Sequence, residues 1–177
     1  MDYITHCKKV HKINLFLIFC LIVLVVIPLI YLRGLAASKL YIICGIVIAG
    51  LATLNYFIPI PDKIKGLFFA LLPLTVIFIL FFLDKFALNK HYILFFTIMM
   101  IALYFDKQLI LIFGVFITIY IFTLYICIPT VFLGTEHSIP LFITVYSVIG
   151  GALAALYFLT DAGRKLLQHS TYKEQEA

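Results

Sequence analysis

Long apolar runs without a charged residue dominate this chain and limit the structures that it can adopt. Hydrophobic residues make up 65% of the 177 residues, against about 45–50% in an average soluble domain, and charged residues make up 12% against about 25%. A water-soluble globule is therefore excluded. Because a helix needs about 20 apolar residues to cross a hydrocarbon core roughly 30 Å thick, runs of this length predict membrane-spanning helices.

Six such runs are present, and each predicts one helix. They cover residues 13–32, 40–60, 66–83, 91–105, 108–133 and 139–160. Strands are disfavoured because their open edges would leave backbone groups without partners in lipid. The sequence therefore predicts an all-α polytopic membrane protein. Residues 1–160 would form a compact bundle of six transmembrane helices in the lipid bilayer, and 161–177 a cytoplasmic juxtamembrane helix or a linker to a signalling domain beyond the chain.

Lysine and arginine are distributed unevenly between the two sides that six helices define. Nine lie on the side of the termini, and four on the other side. By the positive-inside rule both termini are cytoplasmic, in the cell (plasma) membrane, which in a bacterium is the inner membrane. Tyr56, Tyr104 and Tyr157 then fall at the inner interface, as in an aromatic belt.

The first run has a second interpretation, as a cleaved signal peptide. Lys8, Lys9 and Lys12 precede it, and the small residues 36–38 follow it as at a signal peptidase site. The run is longer than the usual apolar segment of about 7–15 residues, which favours a permanent helix. Cleavage would leave five helices.

Loop residues predict where several helices begin and end. Asp106 and Lys107 alone separate the fourth and fifth runs, which therefore form antiparallel neighbours, and Asp106 is placed to cap the fifth helix. Ser138, ahead of Pro140, predicts a similar start for the sixth helix. Other prolines end the second run or lie within runs, where kinks are expected: Pro28, Pro59, Pro61, Pro73 and Pro129.

Ionisable residues are missing from the middle of all six runs. Proton pumps and ion-coupled carriers place such groups at mid-membrane, so a proton-coupled carrier is disfavoured. No nucleophile, zinc or phosphate-binding motif is present, and the four cysteines show no CxxC spacing. The sequence therefore predicts no enzyme activity, no cofactor and no metal site, and the scattered basic residues predict no nucleic-acid partner.

Histidines and acids near the run ends form one candidate cluster on the outer side. Its members are Asp84, His91, Glu136 and His137. Two outer loops could bring them together as a pH-sensing or metal site, and solvated loop residues are the simpler interpretation. His6 and His11 are five apart, which places them on different faces of a helix, and we expect both to contact solvent or lipid headgroups.

Small residues line one face of the sixth run. Ser147, Gly151 and Ala155 recur at every fourth position, which lets another backbone approach closely. The partner is either a helix of the same chain or the sixth helix of a second copy. Packing within the chain is slightly favoured on general grounds, and a homodimer is favoured by a receptor function.

Two short stretches resemble a known class of receptors. Residues 102–107 (Ala-Leu-Tyr-Phe-Asp-Lys, followed by 109–114) close the fourth run, and residues 157–164 (Tyr-Phe-Leu-Thr-Asp-Ala-Gly-Arg) leave the sixth. Both are similar to the six-helix amino-terminal membrane region of a class of methyl-accepting chemotaxis proteins, and the resemblance covers nearly the whole chain.

The resemblance implies a homodimeric receptor whose membrane-embedded input (sensor) module is this chain. A stimulus would shift the packing of the sixth helix, and a continuous helix through Gly163 would carry that shift into the cytoplasm. There a signalling region absent from this sequence would act on a chemotaxis histidine kinase with a coupling protein. Thr160, Gly163 and Arg164 are the candidates for signal relay.

Other functions stay open at the level of sequence. A small permease or channel predicts a polar path through the bundle, and an accessory membrane protein predicts a partner chain. An input domain of a sensor histidine kinase or of a cyclic-nucleotide enzyme shares the predicted relay helix. A lipid-modifying enzyme predicts ionisable groups gathered at one interface.

Overall fold

The computed structural model describes the backbone of residues 3–83, 88–135 and 137–176, and every regular element in these ranges is an α-helix. Seven helices occupy this part of the chain: α1 (Tyr3–Ala37), α2 (Lys39–Phe57), α3 (Asp62–Leu83), α4 (Leu88–Ala102), α5 (Lys107–Cys127), α6 (Pro129–Leu133) and α7 (Ile139–Glu176). The all-α prediction is confirmed there.

Five of these helices are long and apolar enough to cross a membrane, namely α1, α2, α3, α5 and α7. With 15 residues, α4 is shorter than the about 20 that a span needs. Large apolar side chains, among them Phe16, Leu24 and Val115, are exposed on the outside of the bundle. Together these features indicate a membrane protein, and the sixth span remains a prediction.

Several helix ends differ from the ends of the apolar runs. The fifth run is two helices, because Ile128 leaves helical geometry (φ −142°, ψ 56°) and Pro129, which has no N–H to donate, begins α6. The second run ends early, since Ile58, held extended before Pro59, stops α2 at Phe57. At the start of the chain α1 already begins at Tyr3, so its first turns are polar.

The last helix extends well beyond the sixth run. With 38 residues, α7 continues without interruption through Gly163 and Arg164 to Glu176. At 1.5 Å per residue this is about 57 Å, nearly twice the thickness of a hydrocarbon core. The last part of α7 therefore projects beyond the other helices.

The third helix lies at the centre of the bundle. It packs against α1, α2, α4, α5 and α6, while α7 packs against α4 and α5. Buried residues recur at helical spacing along the central helices, so that their inward faces together form one continuous apolar stripe. The stripe comprises Ala70, Leu74, Ile77 and Phe81 on α3, Leu94, Ile98 and Ile101 on α4, and Phe113, Ile117 and Ile121 on α5.

One end of the bundle, here called the amino end, collects the start of α1 and the polar ends of its neighbours. At this end α2 and α4 finish, α3 and α5 begin, and α7 leaves the bundle. Asn55 Nδ2 donates to the Lys65 carbonyl oxygen at 3.1 Å, and Lys65 Nζ donates to the Tyr56 carbonyl oxygen at 3.0 Å. These bonds join the end of α2 to the start of α3.

A glycine lets an aromatic ring approach the backbone of α3 closely at the amino end. A Cβ atom on Gly66 of α3 would lie 2.9 Å from Cζ of the Tyr104 ring, closer than side chains pack. Only a residue without a side chain lets this ring lie flat against the backbone of α3.

We predict that Gly66→Ala destabilises the bundle. Displacing the buried ring lowers the free energy of unfolding by about 1–3 kcal/mol. The better helix propensity of alanine offsets up to about 1 kcal/mol of this loss. Thermal unfolding in detergent measures the difference. Gly50→Ala is the matched control, because no atom of the described ranges lies within 4 Å of a Cβ atom there. Equal stability of the two variants would contradict the prediction.

Candidate functional site

The chain reverses between α4 and α5 through residues 103–107, here called the 103–107 turn. The Phe105 N–H donates to the Ala102 carbonyl oxygen at 3.1 Å, which closes a tight turn at the end of α4. Phe105 has a φ of 48°, a left-handed conformation that is uncommon for a bulky side chain. Through this strained reversal, successive side chains of the turn reach different helices.

Tyr104 connects the turn to α1 and α3. Its side chain is fully buried, with the ring against Gly66. The hydroxyl lies 2.9 Å from His11 Nδ1 and 3.1 Å from Asn14 Nδ2, both on α1. Tyr104 lies outside the helices that could span a membrane, and burial raises the pKa of its phenol. The hydroxyl therefore keeps its proton and can both donate and accept.

His11 stands between that hydroxyl and a carboxylate. Its Nε2 lies 3.1 Å from Asp62 Oδ1, at the start of α3. Asn14 Nδ2 also donates to the Met100 carbonyl oxygen of α4 at 3.2 Å, whereas Asn14 Oδ1 has no hydrogen-bond partner among the described residues. His11, Asn14, Asp62 and Tyr104, here called the His11 network, thus join three helices and the turn.

Burial differs across the His11 network. The His11 side chain is 4% exposed and the Asp62 side chain 32% exposed. The imidazole also packs near the rings of Phe69 and Tyr104, with centroids at 5.8 and 5.4 Å. The network is therefore enclosed by aromatic rings and reaches solvent through the Asp62 carboxylate.

Phe105 connects the turn to α7. Its ring stacks on His6 of α1, with centroids 5.5 Å apart, and His6 Nε2 donates to the Leu103 carbonyl oxygen at 2.9 Å. On the other side a Cβ atom on Gly163 would lie 2.5 Å from the Phe105 ring. The ring therefore fills the space between the start of α1 and the point where α7 leaves the bundle.

Two charged residues complete the turn. Asp106 Oδ1 accepts from the backbone N–H groups of Gln108 and Leu109, at 2.9 and 3.4 Å, so the predicted cap of α5 is confirmed. Asp106 Oδ2 lies 2.9 Å from Lys63 Nζ. These contacts tie the start of α5 to the start of α3.

Lys107 ties the turn to α7 a second time. Its Nζ donates to Asp161 Oδ2 at 2.7 Å and lies 4.6 Å from the centroid of the Tyr157 ring. The ion pair is open to solvent, so its energetic effect is small. On α7 it nevertheless lies only two residues before Gly163, where Phe105 makes its contact, and acts on the same segment.

The sequence-based interpretation of His6 and His11 is wrong. Both are buried rather than in contact with solvent or headgroups. Their five-residue spacing does put them on different faces of α1, but one face meets Phe105 and the other meets Tyr104 and Asp62. Tyr104, expected in an interfacial belt, is likewise enclosed in the bundle. The one sequence feature that could have indicated this burial is that the polar start of α1 directly precedes an apolar run.

The three relay candidates differ in their surroundings. Gly163 contacts the Phe105 ring, as described. Thr160 is 3% exposed, and its hydroxyl donates to the Leu156 carbonyl oxygen of the preceding turn at 2.7 Å. Arg164 is exposed. Two of the three therefore face the bundle where α7 leaves it.

The small-residue stripe of α7 faces away from the bundle. Ser147, Gly151 and Ala155 are exposed, and nothing in the described part of the chain lies within 4 Å of a Cβ atom on Gly151. The preference for packing within the chain is therefore wrong, because α7 turns the opposite face, with Phe142 and Ile149, towards the core.

The outer-side candidates are not shown to form one site. Asp84 and Glu136 lie outside the described residues, and His137 is exposed. His91 packs between the rings of Phe81 and Phe132, with a centroid distance of 5.3 Å to each. Among the described residues no group of three or more His, Cys, Asp or Glu side chains could hold a metal ion.

Ser138 has the predicted role at the start of α7. Its Oγ accepts from the Leu141 N–H at 3.3 Å, ahead of the helix that contains Pro140.

Comparison of the chain with protein-family models, with curated proteins and with solved structures finds no match.

We predict that Asp106→Ala lowers the free energy of unfolding more than Asp106→Asn does. Alanine removes both the cap, worth about 1 kcal/mol, and the contact with Lys63, whereas asparagine keeps a capping oxygen. Thermal unfolding in detergent compares the two variants. Asp161→Asn, at an exposed carboxylate, is the control and should change stability least. Equal losses for alanine and asparagine would show that the cap does not determine the effect.

Proposed function

We propose that this chain is the membrane-embedded input module of a chemotaxis-type transmembrane receptor. The observation that carries the proposal is the junction between the 103–107 turn and α7. There a helix that begins in the bundle and continues well past it is held by Phe105 against Gly163 and by Lys107 against Asp161. A change in packing at the turn would thus reach the segment that leaves the bundle.

The contacts of the turn support a route from the bundle to α7. Tyr104 contacts α1 and α3, and the next residue, Phe105, contacts α7. Because the two residues are adjacent and Phe105 already has an unfavourable φ, a displacement of the Tyr104 backbone would also move the ring beside Gly163. Rearrangement among α1, α3 and α4 would therefore displace or release α7.

The distribution of charge supports a cytoplasmic amino end. Exposed cations gather there, as expected of a surface next to anionic headgroups. They are Lys8, Lys9, Lys12, Lys63, Arg164 and Lys165. In this orientation, in the cell membrane with both termini inside, α7 delivers its output to the cytoplasm, where a histidine kinase and its coupling protein act.

The outer face of α7 supports a homodimer. Its exposed stripe of small residues, described above, leaves the backbone of α7 open to the same helix of a second copy. In such a dimer the two relay helices would run side by side into the cytoplasm.

The test uses the whole chain fused after Ala177 to the kinase-control region of a chemotaxis receptor, with kinase activity measured in membranes. In this test Gly66→Ala displaces Tyr104 and so causes the change in packing that a stimulus would cause. We expect it to change kinase activity by about fivefold, a coupling of about 1 kcal/mol. Gly50→Ala, in open space, should leave the activity unchanged.

We further predict that Gly163→Pro uncouples the output. Proline interrupts α7 where it meets Phe105, so the change caused by Gly66→Ala should disappear in the double variant. Membrane insertion and thermal stability are measured alongside, to separate loss of coupling from loss of folding. Kinase activity that still responds to Gly66→Ala in the Gly163→Pro background would refute the relay through α7.

A further inference from the structure

We propose that His11 is a proton-binding site, and that uptake of a proton reverses the hydrogen bonds of Tyr104 and Asn14. The stimulus of the module is then the pH at the amino end of the bundle. The proton site follows from the geometry of the His11 network, and only the statement about the stimulus rests on the proposed function.

The neutral network has one consistent arrangement of protons. A carboxylate only accepts, so His11 Nε2 carries the proton that lies towards Asp62 Oδ1, 3.1 Å away. Nδ1 therefore has a free lone pair and accepts from the Tyr104 hydroxyl at 2.9 Å. The hydroxyl oxygen in turn accepts from Asn14 Nδ2 at 3.1 Å. Every donor of the network is then used.

A second proton cannot be added without changing that arrangement. Once Nδ1 carries a proton it must donate to the Tyr104 oxygen, so the Tyr104 hydroxyl proton needs another acceptor. Asn14 Oδ1 is the available acceptor, since it is buried and no residue in the described part of the chain donates to it. Rotation of the Asn14 amide would present this oxygen to Tyr104. A phenol proton left without an acceptor in a buried site is the costly alternative.

Rotation of the amide breaks a bond between α1 and α4. Asn14 Nδ2 donates to the Met100 carbonyl oxygen at 3.2 Å, and Oδ1 cannot replace it there because both atoms are acceptors. The Tyr104 N–H is not available to Met100, since it donates to the Ile101 carbonyl oxygen at 3.3 Å. Proton uptake at His11 therefore loosens the end of α4 just before Phe105.

The charged groups around His11 define how the proton arrives and what balances it. From α3, Asp62 pairs with the imidazole, and Lys65, one turn further on, is held by the Tyr56 carbonyl oxygen. From α1, the next residue, Lys12, is exposed. From the turn, Tyr104 supplies its hydroxyl. Since Asp62 is 32% exposed and His11 4% exposed, the carboxylate is both the counter-ion and the route from solution.

Because the chain contains no tryptophan, the fluorescence of a single introduced tryptophan can be measured without background from others. Tyr157→Trp places one on α7, at the ring that lies 4.6 Å from Lys107 Nζ. Emission from this residue is sensitive to the distance of that cation, so it follows contact between the turn and α7. The full chain is studied in nanodiscs, and the titrations of its histidines are followed separately by ¹⁵N NMR.

We expect the tryptophan emission to follow a single-proton transition as the pH falls through the range in which a histidine takes up a proton. The transition should disappear in His11→Gln and persist in His137→Gln, an exposed histidine at the opposite end. His6→Gln is the stricter control, because the His6 ring stacks on Phe105 and its Nε2 donates to the Leu103 carbonyl oxygen, which is not part of the His11 network. A transition that follows His6, or that survives His11→Gln, would overturn the proposal.

Tyr104→Phe separates proton binding from its effect on α7. The ring stays against Gly66 but the hydroxyl is lost, so His11 should still titrate by NMR while the emission of the tryptophan no longer changes. If His11 in the unsubstituted chain shows no titration over this range, there is no proton site, whatever the variants do. A third outcome is that His11 titrates and the tryptophan emission changes, but Gly66→Ala leaves the kinase activity of the fusion unchanged. This outcome would support the proton site and refute the receptor function.

Discussion

The backbone groups left open where the chain reverses between α4 and α5 are the constraint on which the amino end depends. In apolar surroundings each such group needs a partner. Asn14 and His6 supply donors to the carbonyl oxygens of Met100 and Leu103, and Asp106 supplies an acceptor to the first N–H groups of α5. His6 and Asn14 near the start of α1 are therefore buried because the end of α4 beside them needs hydrogen-bond donors.

This dependence explains how far the sequence could be interpreted. Helices, their apolar character and the caps at Asp106 and Ser138 depend on neighbours in sequence, and they were predictable. The burial of His11 depends on Tyr104 and Asp62, 93 and 51 residues away, and no local pattern reports that contact. Pro129 predicted a kink in the fifth run, but the apolar sequence around it gave no sign that Ile128 would leave helical geometry and divide the run into α5 and α6.

The same strained turn accounts for both proposals. A turn in a relaxed conformation could absorb a small displacement of Tyr104 within its own backbone. Phe105, already at positive φ and wedged between His6 and Gly163, has little freedom to do so. Strain at this position thus makes the contact between the bundle and α7 sensitive to the loss of a few hydrogen bonds. Binding of one proton at His11 changes that number of hydrogen bonds.

The shortness of α4 has a consequence for the surrounding lipid. Fifteen residues rise about 22 Å, several ångströms less than a typical hydrocarbon core. If α4 crosses the membrane as the sixth predicted span, local thinning of the bilayer would accommodate it and draw headgroups and water inwards along its flank. Acyl chain length would thus set how deeply the 103–107 turn is immersed, and membranes of different thickness would expose Asp62 to water to different degrees.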